Sequence, residues 1–125
     1  MNIHRIYGFF FLFFRRRRMR AFQEIMRPRP EERIVDVGGY HGFWESSSVP
    51  SFVTCCNLHM PSCGYDTARF AYVIGDGRKL AFRDKEFDIA FSNSVIEHVG
   101  SFEDQKKFAE EIRRVGKSYW VQTPN

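Results

Sequence analysis

Apolar positions in this chain come in short blocks, each closed by glycine, proline or small polar residues, rather than in strict alternation. Arg33-Ile-Val-Asp-Val37 is a β-branched run ending in Gly38-Gly39, which predicts a buried strand and a tight turn. Phe52–Cys56, Ala71–Ile74, Phe87–Phe91 and Tyr119–Gln122 predict four more strands. Their runs are continuously apolar, as expected when both faces of a sheet are covered. Between them lie helical stretches. Phe43–Ser48 allows only a short helix, because Pro50 limits it. A longer helix is predicted from about Ser101 to Val115. Ser101 and Asp104 have capping-box spacing, and Phe108, Ala109, Ile112 and Val115 form one apolar face. Gly116 is placed to act as its C-cap. Strands separated by crossovers imply an α/β fold, a Rossmann-like, doubly wound and mostly parallel sheet with about five strands.

Residues 1–30 differ from residues 31–125. The first segment holds one glycine and no proline before Pro28, so it can form one or two helices, stopped by Arg27-Pro-Arg-Pro30. It also contains the run Phe9–Phe14 followed by Arg15–Arg18. Charge follows the same division. Residues 1–33 carry a net +6 and residues 34–125 a net −2, so the chain's overall +4 belongs to a basic helical arm rather than to the domain behind it. That split disfavours a uniformly basic nucleic-acid-binding domain, and no nucleic-acid partner is expected. The apolar run is far short of the roughly 20 residues of a membrane span, and its charges follow rather than precede it, unlike a secretory signal. The Arg run reads as the solvated face of a packing helix, with a weak contact to an anionic membrane surface as the lesser alternative.

Three cysteines, two of them adjacent, suggest no disulfide framework and fit a reducing, cytoplasmic setting. Cys56, His59 and Cys63 lack an evident fourth ligand, so no metal is expected.

Candidate chemistry gathers at the strand ends, where α/β sheets bind ligands. Asp36-Val-Gly-Gly-Tyr-His-Gly42 follows the first strand and lets the backbone approach a ligand closely, with a carboxylate beside it. Asn57, 21 residues after Asp36, ends the second strand, where nucleotide-binding folds reach ribose hydroxyls. Gly75-Asp76-Gly77 closes the third strand, and the Asp76 carboxylate could accept from an adenine amine. Asn93 and Ser94 follow the fourth strand and could line a crevice, with Glu97 and His98 just beyond.

Together these segments resemble class I S-adenosylmethionine-dependent methyltransferases, of the group called methyltransferase type 11. Arg33–Gly39 looks like the family's first motif, Gly75–Phe82 like its adenine-contacting segment, and Phe87–Val99 like its most recognisable stretch. Glu111–Val115 and Gln122–Asn125 are also similar. The resemblance implies S-adenosylmethionine as cofactor and methyl transfer to an acceptor, a small molecule or of unknown class. It implies Asp36, Gly38, Gly39, Tyr40 and Gly42 on the methionine side, Asn57 at ribose, Asp76 and Gly77 at adenine, and Asn93 and Ser94 lining the crevice. No catalytic base is assigned; His98 is the one candidate. Tyr40 stands where the family carries a glycine, and Asn57 where it carries an acid. Five strands against the family's seven suggest a chain truncated at its C-terminus. Two other readings are an inactive Rossmann-like binding module and a nicotinamide-dependent oxidoreductase, whose G-x-G-x-x-G spacing Gly38–Gly42 does not meet.

Overall fold

The computed structural model describes residues 3–124. Helix α1 (Ile3–Met26) leads into strand β1 (Arg33–Val37), the one-turn helix α2 (Gly42–Glu45), strands β2 (Phe52–Asn57), β3 (Phe70–Ile74) and β4 (Phe87–Asn93), helix α3 (Phe102–Val115) and strand β5 (Gly116–Gln122). The five strands form one sheet in the order β3-β2-β1-β4-β5, and every pairing is parallel. The chain reverses direction across the sheet between β1 and β4, the place where open α/β sheets leave a crevice at the strands' carboxyl ends. All five sequence-derived strands are present, each within three residues of its expected start.

The alternation of β1 feeds two cores. Ile34 points with Met19, Phe22, Trp44, Val53 and Phe91 into the layer under α1 and α2. Val35 and Val37 point with Phe87, Phe108, Ile112 and Val115 into the layer under α3. Burial on both faces is what the unbroken apolar runs required. The N-terminal segment forms a single helix whose second half belongs to the first core: Phe22 is 0% exposed and meets Trp44, Phe91 and Trp120 edge-on at ring separations of 5.7, 5.0 and 5.8 Å. Ahead of this, Leu12, Phe13 and Phe14 are exposed, while the side chains of Phe9–Phe11 lie outside the described residues. No described helix is long and apolar enough to cross a membrane.

Helix α3 begins as its sequence requires. The Ser101 hydroxyl accepts from the Asp104 N–H, and the Asp104 carboxylate accepts from the Ser101 N–H, a complete capping box. Replacing Ser101 with Ala is expected to cost about 1 kcal/mol, read as a lower denaturant midpoint at unchanged slope. Two expectations for this helix are corrected. Ala109 is exposed, because the buried stripe is the narrower set Phe108, Ile112 and Val115. Gly116 does end the helix, but with extended backbone (φ −107°, ψ 142°) rather than a left-handed cap, and it is already the first residue of β5. A Cβ there would meet the Ser118 carbonyl of its own strand at 2.5 Å and Ala90 of the neighbouring strand at 2.7 Å, so the glycine serves both the start of β5 and close strand packing.

The long β3–β4 connection is pinned to α3 by one side chain. The Arg114 guanidinium donates to the carbonyls of Leu80 (3.0 Å) and Phe82 (2.7 Å) and to the carboxylates of Glu111 and Asp84. Glu111 in turn accepts from the Leu80 N–H at 2.6 Å. This network explains in physical terms why Glu111-Ile-Arg-Arg-Val115 accompanies Leu80-Ala-Phe82 in the sequence: they form one clamp.

Candidate functional site

The turn after β1 is built by steric necessity. Gly38 adopts φ 87°, a region in which a side chain is strained, and a Cβ on it would sit 2.6 Å from Val95. A Cβ on Gly39 would run into the Asp36 carboxylate. The turn is therefore folded down over Asp36. That aspartate is 2% exposed; its Oδ2 accepts from the Trp44 indole N–H at 2.7 Å, and its Oδ1 has no partner among the described residues. Burial pushes the Asp36 carboxyl up to about 7, against the opposing effect of the Trp44 hydrogen bond. Asp36, expected beside a ligand, has its side chain beneath the turn on the α1–α2 side, where Trp44, eight residues later, supplies its one donor among the described residues. Gly39 likewise lines neither of the cavities described next.

Two cavities flank the turn at the carboxyl ends of the strands. The first, of about 350 Å³, is lined by Gly38, Asn57, Asp76, Gly77, Val95 and His98, among others. The second, of about 570 Å³, is lined by Phe14, Arg15 and Arg18 of α1, Tyr40, Gly42 and Phe43 after β1, Asn93 and Ser94 after β4, and Pro124. Every expected site residue except Asp36 and Gly39 therefore lines one of them.

Their side chains are less free than the sequence suggested. The Asn57 amide donates to the Gly39 carbonyl (3.2 Å) and its oxygen accepts from the Leu58 N–H (2.8 Å), so the residue braces the glycine turn from β2. The Asp76 carboxylate is held by Arg78, accepting from its backbone N–H at 2.9 Å and its guanidinium at 2.7 Å, with the side chain still part-exposed. These hydrogen bonds hold its carboxyl below the usual range. Arg78 also reaches Asp104 at the start of α3, 3.2 Å away. Tyr40 is 46% exposed beside Tyr72, at a ring separation of 6.4 Å, and forms one wall of the second cavity. His98 lines the first cavity and not the second, 3.8 Å from the Glu97 carboxylate.

The sequence reading missed Arg15 and Arg18. Taken as a run, Arg15–Arg18 reads as solvated. In the fold, Arg16 and Arg17 are exposed, while Arg15 and Arg18 turn toward the strand ends. Arg18 donates to the Ser94 hydroxyl at 3.2 Å. The Arg15 guanidinium lies 5.1 Å from the centre of the Phe43 ring, and its Nε is shielded from solvent without a hydrogen-bond acceptor among the described residues. Asn93, which lines the same cavity, has a buried Oδ1 that lacks a donor among the described residues. Helical spacing could have paired Arg15 with Met19, Phe22 and Met26 on one face. Ser94, the residue that turns the chain out of β4, holds a left-handed φ of 57° unusual for a residue with a side chain.

Comparison with known proteins adds an independent finding. A family model described as a methyltransferase domain matches residues 45–119, well over half of the chain, although the match begins after the glycine turn. The fold is shared with YcgJ from Bacillus subtilis (TM-score 0.64, 18% identity, covering 82% of this chain and 48% of that one). It is shared with an S-adenosylmethionine-dependent methyltransferase from Methanosarcina mazei (TM-score 0.60, 19% identity, 74% and 52% covered). The cyclase SpnF also has it (TM-score 0.57, 16% identity, 82% and 43% covered). At these identities the likeness concerns the fold, and the chain spans about half the length of these structures. A comparison with curated proteins gives no match.

Proposed function

Since this chain belongs to the methyltransferase-domain family, we propose that it binds S-adenosylmethionine across the two cavities and serves methyl transfer to a small-molecule acceptor in the cytoplasm. The observation that carries this reading is the second cavity, lined by Arg15 and Asn93, whose guanidinium Nε and amide oxygen have no partner among the described residues. The α-amino-acid end of the cofactor offers the matching groups, a carboxylate for the first and an ammonium for the second. The nucleoside end fits the first cavity, where Val37, Val95 and Phe108 supply apolar walls and Gly77 has no room for a side chain against Phe108. The clamped Asp76 and Asn57 then act by holding those walls and the turn in place, with Gly38 and Gly77 presenting backbone.

The cofactor, when bound, supplies a methyl group on a sulfonium that leaves as a neutral thioether. The chain's own part is to hold two partners in line and to keep water out. Gly42, Asn93 and Ser94 provide the floor for this, and Tyr40, Phe43 and Phe14 an aromatic rim. Among the described residues lining the second cavity there is no carboxylate, imidazole or thiol. No general base is assigned; His98 stands at the other cavity.

Titration calorimetry with S-adenosylhomocysteine, with circular dichroism as the folding control, tests this reading. Micromolar binding is expected, weakened about tenfold in Arg15→Gln, the scale of one charge-assisted hydrogen bond. A folded chain with no affinity would leave the binding-module reading in its place.

A further inference from the structure

On the far side of Tyr40 lies a third cavity, of about 440 Å³, bounded by Tyr40, His41, Gly42, Met60, Pro61 and Cys63. It contains a thiol beside an imidazole. The Cys63 Sγ is 3.7 Å from His41 Nε2, with Cys63 exposed and His41 only 5% exposed.

The Tyr72 hydroxyl lies 2.5 Å from His41 Nδ1 and accepts from the His41 backbone N–H at 2.8 Å. Its second lone pair can accept from Nδ1–H, and in that tautomer Nε2 faces Cys63 as an acceptor. The other titratable groups around the ring are Glu45 on α2, whose carboxylate is 3.7 Å from Nε2, and Tyr65, 5.6 Å away between ring centres. A buried imidazole oriented by a third group and directed at an accessible thiol is the arrangement that activates sulfur as a nucleophile.

We propose that Cys63 and His41 form a thiol–disulfide exchange site for small disulfides, separate from the site of methyl transfer. His41 Nε2 takes the Cys63 proton. The thiolate attacks one sulfur of the disulfide, a Cys63–S–S–R bond forms as the incoming S–S bond breaks, and the departing thiolate leaves with its electron pair and is protonated by solvent. The oxidant is the disulfide itself. The other two thiols stay out of the reaction. Cys55 and Cys56 are buried, and desolvation, reinforced by the Asp36 charge, pushes them up to about 12 and about 11.

The test is the rate at which the native chain reacts with dithiobis(nitrobenzoate), with intact mass to count adducts. One adduct per chain is expected, absent in Cys63→Ser. In His41→Gln the rate at about pH 6 is expected to fall about fivefold, because no imidazole is left to take the thiol proton. At about pH 9, where thiols ionise without help, the two rates should converge. A purely structural role for His41 would change both rates alike. Equal rates at both pH values, an unchanging ratio, or native labelling of Cys63→Ser would overturn the proposal. If His41→Gln does not fold, Tyr72→Phe takes its place: a smaller loss at low pH supports the site, and an unchanged rate refutes it.

Discussion

The folded chain is expected to lose stability as pH rises from about 4 to about 7, by on the order of 4 kcal/mol, and then to level off. Asp36 is the source. Its carboxyl is pushed up to about 7 in the fold from an ordinary 3.8. Between those values the native chain holds a proton that the unfolded chain has released. Stability therefore falls with rising pH across that window, and the contribution is gone once pH passes the folded value. The carboxyls held below their usual range, Asp76, Asp88, Asp104 and Glu111, have the opposite sign. They weaken the fold only as pH drops through the acidic range, so they do not mask the effect. Denaturant melts at several pH values would measure it. Asp36→Asn keeps an acceptor for the Trp44 indole and should flatten the curve; an unchanged slope would show that the carboxyl is ionised throughout. The effect bears on function, because this carboxyl supports the Gly38–Gly39 turn from below.

Phe22→Ala is expected to be the most damaging single core substitution, costing about 3–5 kcal/mol. The ring is fully buried where α1, α2, β4 and β5 meet, edge-on to Trp44, Phe91 and Trp120. Its removal leaves a void bordered by large rigid rings that cannot close around it, which places the cost at the upper end of such changes. Thermal melts would show the loss. There is a functional consequence as well. α1 brings Arg15 and Arg18 to the second cavity, and its hold on the sheet runs through Met19, Phe22 and Met26. Phe22→Leu, which keeps most of the volume, should retain the fold and yet weaken S-adenosylhomocysteine binding if the helix position governs that cavity.

The sheet was legible because each strand is a short apolar run bounded by a breaker, and because β1 ends in two glycines that only a turn can use. Helix α3 was legible from its cap and its stripe. What resisted reading depends on partners distant in sequence. Asp36 looks like a ligand-facing acid until Trp44 is seen to supply its donor from the buried side. Asp76 looks unpartnered until Arg78, two residues on, is seen to donate to it. Arg15–Arg18 looks uniformly solvated, because a run of identical residues hides which ones the helix turns inward. Gly116 resembles a helix cap in sequence, and only Ser118 and the neighbouring Ala90 reveal that β5 and its spacing require it. Tyr40, in place of a glycine, stands as a partly exposed wall between two cavities.

The position of β1 also sets an order on folding. It is the central strand, and its neighbours are far apart in sequence: Ile34 pairs with Val53 on one side and with Ile89 on the other. The first pairing closes a short loop, while the second waits for most of the chain to be made and carries a larger closure entropy. A growing chain therefore carries β1 with one edge open until β4 emerges. During that interval Ile34, Val35 and Val37 are the residues a chaperone would meet, and amide exchange in the finished protein should be slowest along this same strand, where both ladders must part together.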